Sequence, residues 1–546
     1  MPAPASPAAP TSPKASATRP MQAVLTLGVL TLVARLTGLF QRQVISALLP
    51  GIQTDAYNFA FALPDLLNYL VAGGAISLAF IPLFTRFWNQ NQEDEAWRFF
   101  STLASVMGVV LIVLTAIMML FAPQLLILTA WGLREPGKRD TLDLAVTMTR
   151  VILPAQLFFY LGGLLVGVLN TFKRFGATGW TSAVNNLIAI GVGVALLPVL
   201  GPIGFAWGIL AGALGGNFLL PLLAARRGPR AQRPHFAFRF APRDPAVRRF
   251  FALALPIILG VSLPVVDQNV VKFFASSMVD GTVTHLENAS RLMIAAQGVL
   301  GQAAAVAAFP YLAAQVESGN YRAFAEFLRS GLRRLLFVSL PVSTLLLIWA
   351  APLTRLIFGY GLYNTPQKLG ETAICFALYC VGLFAWVGQG LVARGFYALG
   401  DTRTPTILGT ALTFLFFVPL CALMGLFYGA SGLAFSTSIG AGAYFLSILL
   451  RLDKKMSQKP YDTPLGLEKI GGTLLRTGLA CLLMGIVGIL ALKSGTVFFP
   501  DNKLGDLYNV LWSGAIAVST FIFAASRFRI AEWSWLRSKI RRRKRA

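Results

Sequence analysis

Long apolar runs, separated by short polar breaks, fill the chain from residue 21 to residue 526. A helix needs about 20 mostly apolar residues to cross roughly 30 Å of hydrocarbon, and these runs reach that length. The pattern predicts fourteen membrane-spanning helices, which we number TM1 to TM14 in chain order. Their ranges are 21–48, 56–85, 99–129, 143–171, 177–199, 202–225, 247–276, 281–313, 323–350, 370–397, 404–426, 430–451, 469–492 and 507–526.

Composition agrees with a membrane protein and excludes a soluble enzyme. Hydrophobic residues make up 56% of the 546 residues and charged residues 13%, and the mean hydropathy is +0.66. Soluble domains carry about 25% charged residues, so this chain lacks the polar side chains to cover a soluble surface. The predicted fold class is an all-α polytopic membrane protein.

The positive charge is concentrated beside apolar runs. The formal net charge is +25, of which +15 lies in residues 226–249 and 527–546. Basic segments next to membrane helices stay on the cytoplasmic side, which predicts that both termini are cytoplasmic. No recognition motif accompanies the charge, so no nucleic-acid partner is expected.

The breaks between apolar runs divide the chain into segments. The first of these is rich in Ala, Pro and Ser, and we predict that it is disordered. The predicted segments are a cytoplasmic tail (1–20), an N-terminal lobe with TM1–TM6 (21–225), a basic cytoplasmic linker (226–246), a C-terminal lobe with TM7–TM12 (247–451), a cytoplasmic loop (452–468), TM13–TM14 (469–526) and a basic cytoplasmic tail (527–546).

The two lobes repeat each other in sequence. Prolines and small residues of the first lobe recur at a nearly constant offset in the second. The matched pairs are Pro82 with Pro310, Pro123 with Pro352, Gly201 with Gly429, Gly204 with Gly432 and Ala206 with Ala434. Six helices per repeat is an even number, so both lobes insert in the same orientation. Parallel repeats of this kind frame a central cavity in transporters.

Ionisable residues inside the membrane concentrate on the first two helices of each lobe. Each costs on the order of 2.5 to 3.5 kcal/mol in hydrocarbon, so it must face a partner or water. Arg35 and Arg42 lie on one face of TM1, and a two-fold arrangement brings them near the charges of TM2, TM7 and TM8. Those charges are Asp55, Asp65, Lys272, Glu287 and Arg291.

The basic members of this set favour an anionic substrate, because guanidinium groups match phosphate oxygens with two parallel hydrogen bonds. An alternative is that the charges form ion pairs that only fix helix packing. Glu287 would then pair with Arg291, and Asp55 or Asp65 would pair with Arg42.

Asp267 follows Pro264 in TM7, where a broken helix would expose backbone carbonyls beside a carboxylate. This arrangement suits a monovalent cation, Na+ or H+, that is coupled to transport. A salt bridge to a nearby Lys or Arg is the alternative.

The four Cys and two His have no metal-site or catalytic spacing, so we expect no firm metal site, no cofactor and no enzymatic activity.

Several motifs make the chain similar to a known family. The segment 33–84, which begins VARLTGLFQRQVISALLPG, together with ILGVSLPVVDQNVVKFFAS (258–276) and FYALGDTRTPT (396–406), resembles the MviN/MurJ family. The resemblance implies fourteen helices in the fold of the multidrug/oligosaccharidyl-lipid/polysaccharide exporter superfamily. It also implies a bacterial inner-membrane protein that flips lipid II, the undecaprenyl-pyrophosphate-linked peptidoglycan precursor.

The resemblance implies a binding site for the pyrophosphate and its headgroup. Arg35 and Arg291 match family arginines of TM1 and TM8, and Asp55 matches an aspartate at the start of TM2. A second family arginine of TM1 aligns with Gln41, beside Arg42. The predicted binding set is Arg35, Arg42, Arg291, Asp55 and Asn68.

Two positions of TM2 depart from the family. Asn68 and Gly73 stand where studied members carry an arginine and a glutamate, which weakens the assignment of the substrate more than that of the fold. The motif 396–406 implies structural or gating roles for Asp401 and Arg403. We assign Glu287 to the same group.

The predicted function is flipping of lipid II by alternating access of two rocking lobes, with the polyprenyl tail kept in lipid. The resemblance implies that TM13 and TM14 line a groove for this tail. The membrane potential can drive the movement of an arginine-rich cavity, at about 2.3 kcal/mol per charge per 100 mV.

The alternative functions are an exporter of another polyprenyl-linked glycan, a cation-coupled drug antiporter and a non-transporting scaffold. A basic cavity argues against the antiporter. Expected partners are lipid II or a related glycan lipid, the membrane and other cell-wall synthesis proteins.

Overall fold

The computed structural model describes residues 18–71, 79–261 and 263–543, and all regular secondary structure in these ranges is helical. The predicted disordered tail lies outside the described residues except at 18–20, where the first helix has begun. Gly73 also lies outside them.

The N-lobe, residues 18–226, contains eleven α-helices in the described ranges. They are α1 (Thr18–Leu48), α2 (Gly51–Ala60), α3 (Ala62–Val71), α4 (Ile81–Asn89), α5 (Glu93–Leu120), α6 (Ala122–Thr129), α7 (Arg139–Ile152), α8 (Ala155–Thr171), α9 (Phe175–Leu200), α10 (Ile203–Gly212) and α11 (Leu220–Arg226). A π-helical stretch joins α10 to α11.

We call residues 245–456 the C-lobe, which contains ten α-helices in the described ranges. Its α-helices are α12 (Pro245–Val261), α13 (Leu263–Ala275), α14 (Thr282–Gln297), α15 (Ala303–Glu317), α16 (Tyr321–Ile348), α17 (Ala350–Phe358), α18 (Pro366–Val381), α19 (Leu383–Ala398), α20 (Arg403–Leu412) and α21 (Val418–Met456). Helices α22 (Leu467–Phe498), α23 (Lys503–Arg527) and α24 (Ala531–Arg543) follow it.

Several predicted spans are broken rather than continuous. The span predicted at 99–129 ends at Leu120, and α6 starts a new helix with a proline in its first turn. The span predicted at 143–171 breaks between α7 and α8, at Pro154. Proline removes a backbone donor and clashes with the preceding turn, so it starts helices more readily than it continues them.

Nine helical segments of the described chain are long and apolar enough to cross a membrane. One of them, Arg403–Met456, joins the predicted TM11 and TM12 across Gly429. The described residues therefore make a polytopic all-α membrane protein, and the count of fourteen spans stays a prediction.

The backbone repeats the internal duplication at its turns. Gly201, which ends α9, has φ 56° and ψ −144°, and Gly429 inside α21 has φ 58° and ψ −136°. A positive φ of this kind favours glycine, because a side chain would clash with the backbone. The same turn therefore lies between the predicted TM5 and TM6 in the N-lobe and between the predicted TM11 and TM12 in the C-lobe.

Helices α22 and α23 pack on α16 from outside the duplication. The indole N–H of Trp349 donates to Ser513 Oγ at 3.1 Å, and Arg333 pairs with Glu532 at 2.7 Å near the start of α24. Two carboxylates, those of Asp501 and Asp506, pair with Arg355 at 2.6 and 2.8 Å. The last two long helices are thus fixed to the C-lobe at both of their ends.

Candidate functional site

The two lobes meet through a polar contact that we call the closure, formed by α1 and α2 of the N-lobe and the start of α14. The linker 227–244 lies at one end of the bundle, which we call the linker end. The closure lies at the opposite end. Asp55 on α2 is 4% exposed and accepts hydrogen bonds from the backbone N–H of Gly281 at 2.6 Å and of Thr284 at 2.8 Å. The hydroxyl of Thr284 donates to the same carboxylate.

These donors explain why Asp55 tolerates burial, although no basic side chain of the described ranges pairs with it. The first N–H groups of a helix have no partner within the helix, and its N-terminus carries partial positive charge. Asp55 therefore caps α14 of the other lobe. The alternative that pairs Asp55 with Arg42 is not what the structure contains.

Arg42 extends the closure toward the centre of the molecule. Its Nε donates to Asn288 Oδ1 at 2.7 Å and its Nη1 to Asn58 Oδ1 at 2.5 Å, so it joins α1 and α2 to α14. Ser46, one turn along α1, also contacts Asn288. The Nη2 atom of Arg42 is buried and has no hydrogen-bond partner among the described residues. The contacts of the closure therefore leave one nitrogen of Arg42 unpaired.

Glu287 lies between two basic side chains of the C-lobe. It is 3.2 Å from Lys272 Nζ and 3.7 Å from Arg291 Nε. The Arg291 side chain is 59% exposed, whereas those of Lys272 and Glu287 are 10% and 14% exposed. The predicted pairing of Glu287 with Arg291 is therefore the longer of two contacts, and Arg291 remains accessible to a ligand.

Arg35 crosses from the N-lobe to the C-lobe at the middle of α1. Its Nη1 donates to the carbonyl oxygen of Ile294 at 2.8 Å. The guanidinium lies against Gly298, where an added Cβ would be 1.7 Å from Nη1. A larger residue at position 298, where the π-helical stretch after α14 starts, would displace this guanidinium from its present place.

These side chains surround one space between the lobes, the central cavity, with a volume of about 380 Å³. Four basic residues and two acidic residues line it, so its net charge is positive. They are Arg35, Arg42, Lys272 and Arg291, with Asp65 and Glu287. Gln41 lines the cavity beside Arg42, so both TM1 positions reach it. Asn68 and Asp55 lie outside this lining.

A second space, the C-lobe cavity, adjoins the central cavity and has a volume of about 460 Å³. The two share Lys272, Glu287 and Ile294. Asp267 faces the C-lobe cavity and accepts a hydrogen bond from Thr413 Oγ1 at 2.9 Å. No ion pair of Asp267 occurs within the described ranges, which disfavours the salt-bridge alternative.

Among the described residues, no group of three or more His, Cys, Asp or Glu side chains is placed to hold a metal ion. The four cysteines are free and buried. Each lies within an apolar helix, as packing residues do.

The loop 399–402 lies at the linker end, outside the spanning segments. Asp401 accepts hydrogen bonds from the N–H and hydroxyl of Thr404 at 2.9 and 2.8 Å and pairs with Lys455. Burial opposes ionisation of Asp401, but these donors hold its pKa below the usual value. Arg403 is exposed at the start of α20. Asp401 therefore connects α20 to the end of α21, whereas Arg403 faces outward.

Three uncharged residues of the closure were not predicted. Asn58, Thr284 and Asn288 are all at most 3% exposed, yet they carry most of its hydrogen bonds. Amide side chains within apolar helices are the signal that would have identified Asn58 and Asn288, because a buried amide needs a partner.

Comparison with known proteins identifies the family. The family described as lipid II flippase MurJ matches residues 45–501. The lipid II flippase MurJ of Burkholderia cenocepacia is 30% identical over 469 residues, which cover 84% of this chain and 89% of that protein. A probable lipid II flippase MurJ of Vibrio cholerae is 26% identical over 440 residues, 79% of this chain and 82% of that protein.

Solved structures agree on the fold. A lipid II flippase MurJ in an inward closed conformation matches 92% of this chain and 98% of its own, with a TM-score of 0.72 and 22% identity. An inward-facing multidrug resistance transporter of the MATE family and MOP superfamily matches 80% of this chain, with a TM-score of 0.64 and 16% identity. The chain therefore belongs to the MurJ family of lipid II flippases.

Proposed function

We propose that this protein flips lipid II from the cytoplasmic to the outer leaflet of the bacterial inner membrane by alternating access. The observation that carries the proposal is the central cavity, where four basic and two acidic side chains meet between two repeated lobes. Three of the basic groups are arginines, which bind pyrophosphate oxygens through paired hydrogen bonds. Transport of this kind needs no covalent chemistry.

The donors available in the cavity support an anionic headgroup. Arg42 has a buried Nη2 without a partner among the described residues, and Arg291 is 59% exposed. A buried donor without a partner costs about 1–3 kcal/mol, and a bound phosphate oxygen would remove that cost. Arg35 and Lys272 complete the cationic wall.

The orientation of the protein in the membrane follows from the distribution of its basic residues. We assign the linker end to the cytoplasm because residues 226–249 and 527–546 carry +15 of the net charge of +25. Both termini are then cytoplasmic, and the closure seals the periplasmic side. In this state the headgroup enters from the cytoplasm, and transport requires the closure to break.

Coupling is assigned to Asp267 and to the membrane potential. Asp267 has a single hydroxyl donor in the C-lobe cavity and is free to hold a proton or a monovalent cation. The cavity arginines carry positive charge that moves in the field when the lobes rock, which lets the potential bias the cycle.

Complementation of a bacterium depleted of its own lipid II flippase tests the proposal. We expect the wild-type protein to restore growth, and Arg35→Ala and Arg291→Ala to fail at matched membrane levels. Arg451→Ala serves as the control, because Arg451 is exposed on α21 and lies outside both cavities. Failure of well-expressed wild type would favour export of another glycan lipid. Equal rescue by all variants would favour a scaffold.

A further inference from the structure

The pyrophosphate proposal uses only the central cavity, and the coupling assignment uses only Asp267 of the larger C-lobe cavity. The two spaces adjoin at Lys272 and Glu287, which line both. A ligand whose phosphates lie against the arginines would therefore extend into the C-lobe cavity with the group next to the phosphate.

The lining of the C-lobe cavity combines aromatic faces with side-chain amides. Its aromatic members include Trp386, Tyr397 and Tyr444, and its amides include Gln268 and Gln389. Volumes of 300–1,000 Å³ are usual for small-molecule sites, and the 460 Å³ here falls in that range. Aromatic rings beside a few polar groups suit a ligand that has both C–H faces and hydroxyls.

One atom of this lining is left without a partner. Gln389 Oε1 is buried and accepts no hydrogen bond within the described residues. Buried amide oxygens are almost always paired, so an O–H or N–H donor of a ligand would satisfy Gln389 Oε1.

A polyprenyl chain offers no such donors, and a bare cation offers none either. Sugar hydroxyls and acetamido N–H groups offer many. We propose that the C-lobe cavity binds the sugar rings of the lipid-linked substrate while the pyrophosphate lies in the central cavity. This assignment rests on the proposed function and makes Gln389 and Gln268 determinants of headgroup specificity.

Binding of two ligands to the purified full-length protein tests this subsite. The ligands are lipid II and undecaprenyl pyrophosphate, which has the same phosphates and tail but no sugar. We expect Gln389→Leu to weaken lipid II binding about tenfold by removing a hydrogen bond to the ligand. Binding of undecaprenyl pyrophosphate should change less than about twofold, since its phosphate contacts are intact.

Two further variants distinguish the loss of a ligand contact from misfolding of the protein. Gln268→Leu changes an exposed cavity residue and should act in the same direction. Gln156→Leu is the matched control, since Gln156 also has a buried unpaired Oε1 but lies on α8, outside both cavities. It should leave binding of both ligands unchanged.

Each other outcome overturns the assignment. If both glutamine variants bind the two ligands as wild type does, or weaken both equally, the sugar subsite is wrong while the pyrophosphate site stands. If the loss disappears with lipid II that lacks its stem peptide, the cavity binds peptide and not sugar. If wild type binds neither ligand, the proposed function fails and the subsite fails with it.

Discussion

The closure and the central cavity lie side by side on the same two helices, α1 and α14, but they differ in how their polar groups are paired. In the closure, Asp55 accepts from two backbone N–H groups and a hydroxyl, and Asn288 bridges Arg42 and Ser46. In the cavity, Arg291 is largely exposed and Arg42 Nη2 is unpaired within the described chain.

This difference separates two tasks that buried polar groups perform in a membrane protein. Groups that are fully paired hold one conformation, because breaking the contact leaves several of them unsatisfied at once. Groups that are partly paired are placed for a ligand. In an alternating-access cycle the fully paired groups of the closure oppose opening. The partly paired groups of the cavity gain hydrogen bonds when the substrate binds.

Arg42 belongs to both regions, so its replacement should have the largest effect. We expect Arg42→Gln to weaken lipid II binding about a hundredfold, because charge-assisted hydrogen bonds contribute about 1.5–3 kcal/mol each. It should also loosen the closure. Binding to purified protein measures the first effect, with Arg451→Gln as the control. Unchanged binding would show that Arg42 acts only in the closure.

Asp55→Asn should affect the closure alone. An amide cannot accept from all three donors that the carboxylate now serves, so the start of α14 loses partners. We expect labelling of a Ser46→Cys reporter by a membrane-impermeant maleimide to accelerate about tenfold or more, since Ser46 is fully buried in the closed state.

The labelling assay needs a background in which the four native cysteines are replaced. Asp65→Asn is the matched control, because Asp65 lines the cavity and does not contact α14 through the closure bonds. Equal labelling in the Asp55 and Asp65 variants would contradict the division between closure and cavity.

The smallest effect is expected at Asp267, in the C-lobe cavity. Asp267→Asn removes the group that we assign to the coupling ion but leaves the arginines in place. Transport into proteoliposomes should fall severalfold when a proton or sodium gradient is imposed, and lipid II binding should be unchanged. A variant that still responds fully to the gradients would show that coupling depends on the membrane potential alone.

Much of the fold was readable from the sequence because membrane insertion is decided locally. A helix satisfies its own backbone hydrogen bonds, so apolar length alone predicts where the chain spans the membrane. The duplication was readable as well, since Gly201 and Gly429 make the same turn in both lobes. The breaks at Phe121 and Pro154 were missed, because apolar residues continue on both sides of them.

Which helices carry charge within the membrane was evident from the apolar pattern, and Arg35, Arg42 and Arg291 do line one cavity. The partners of these charges depend on how the helices pack. Asp55 binds residues more than 220 positions away, at the start of α14, and not the arginine on the adjacent helix. Spacing along one helix predicts which side chains share a face, but the pairing of buried polar groups depends on which distant helix packs against that face.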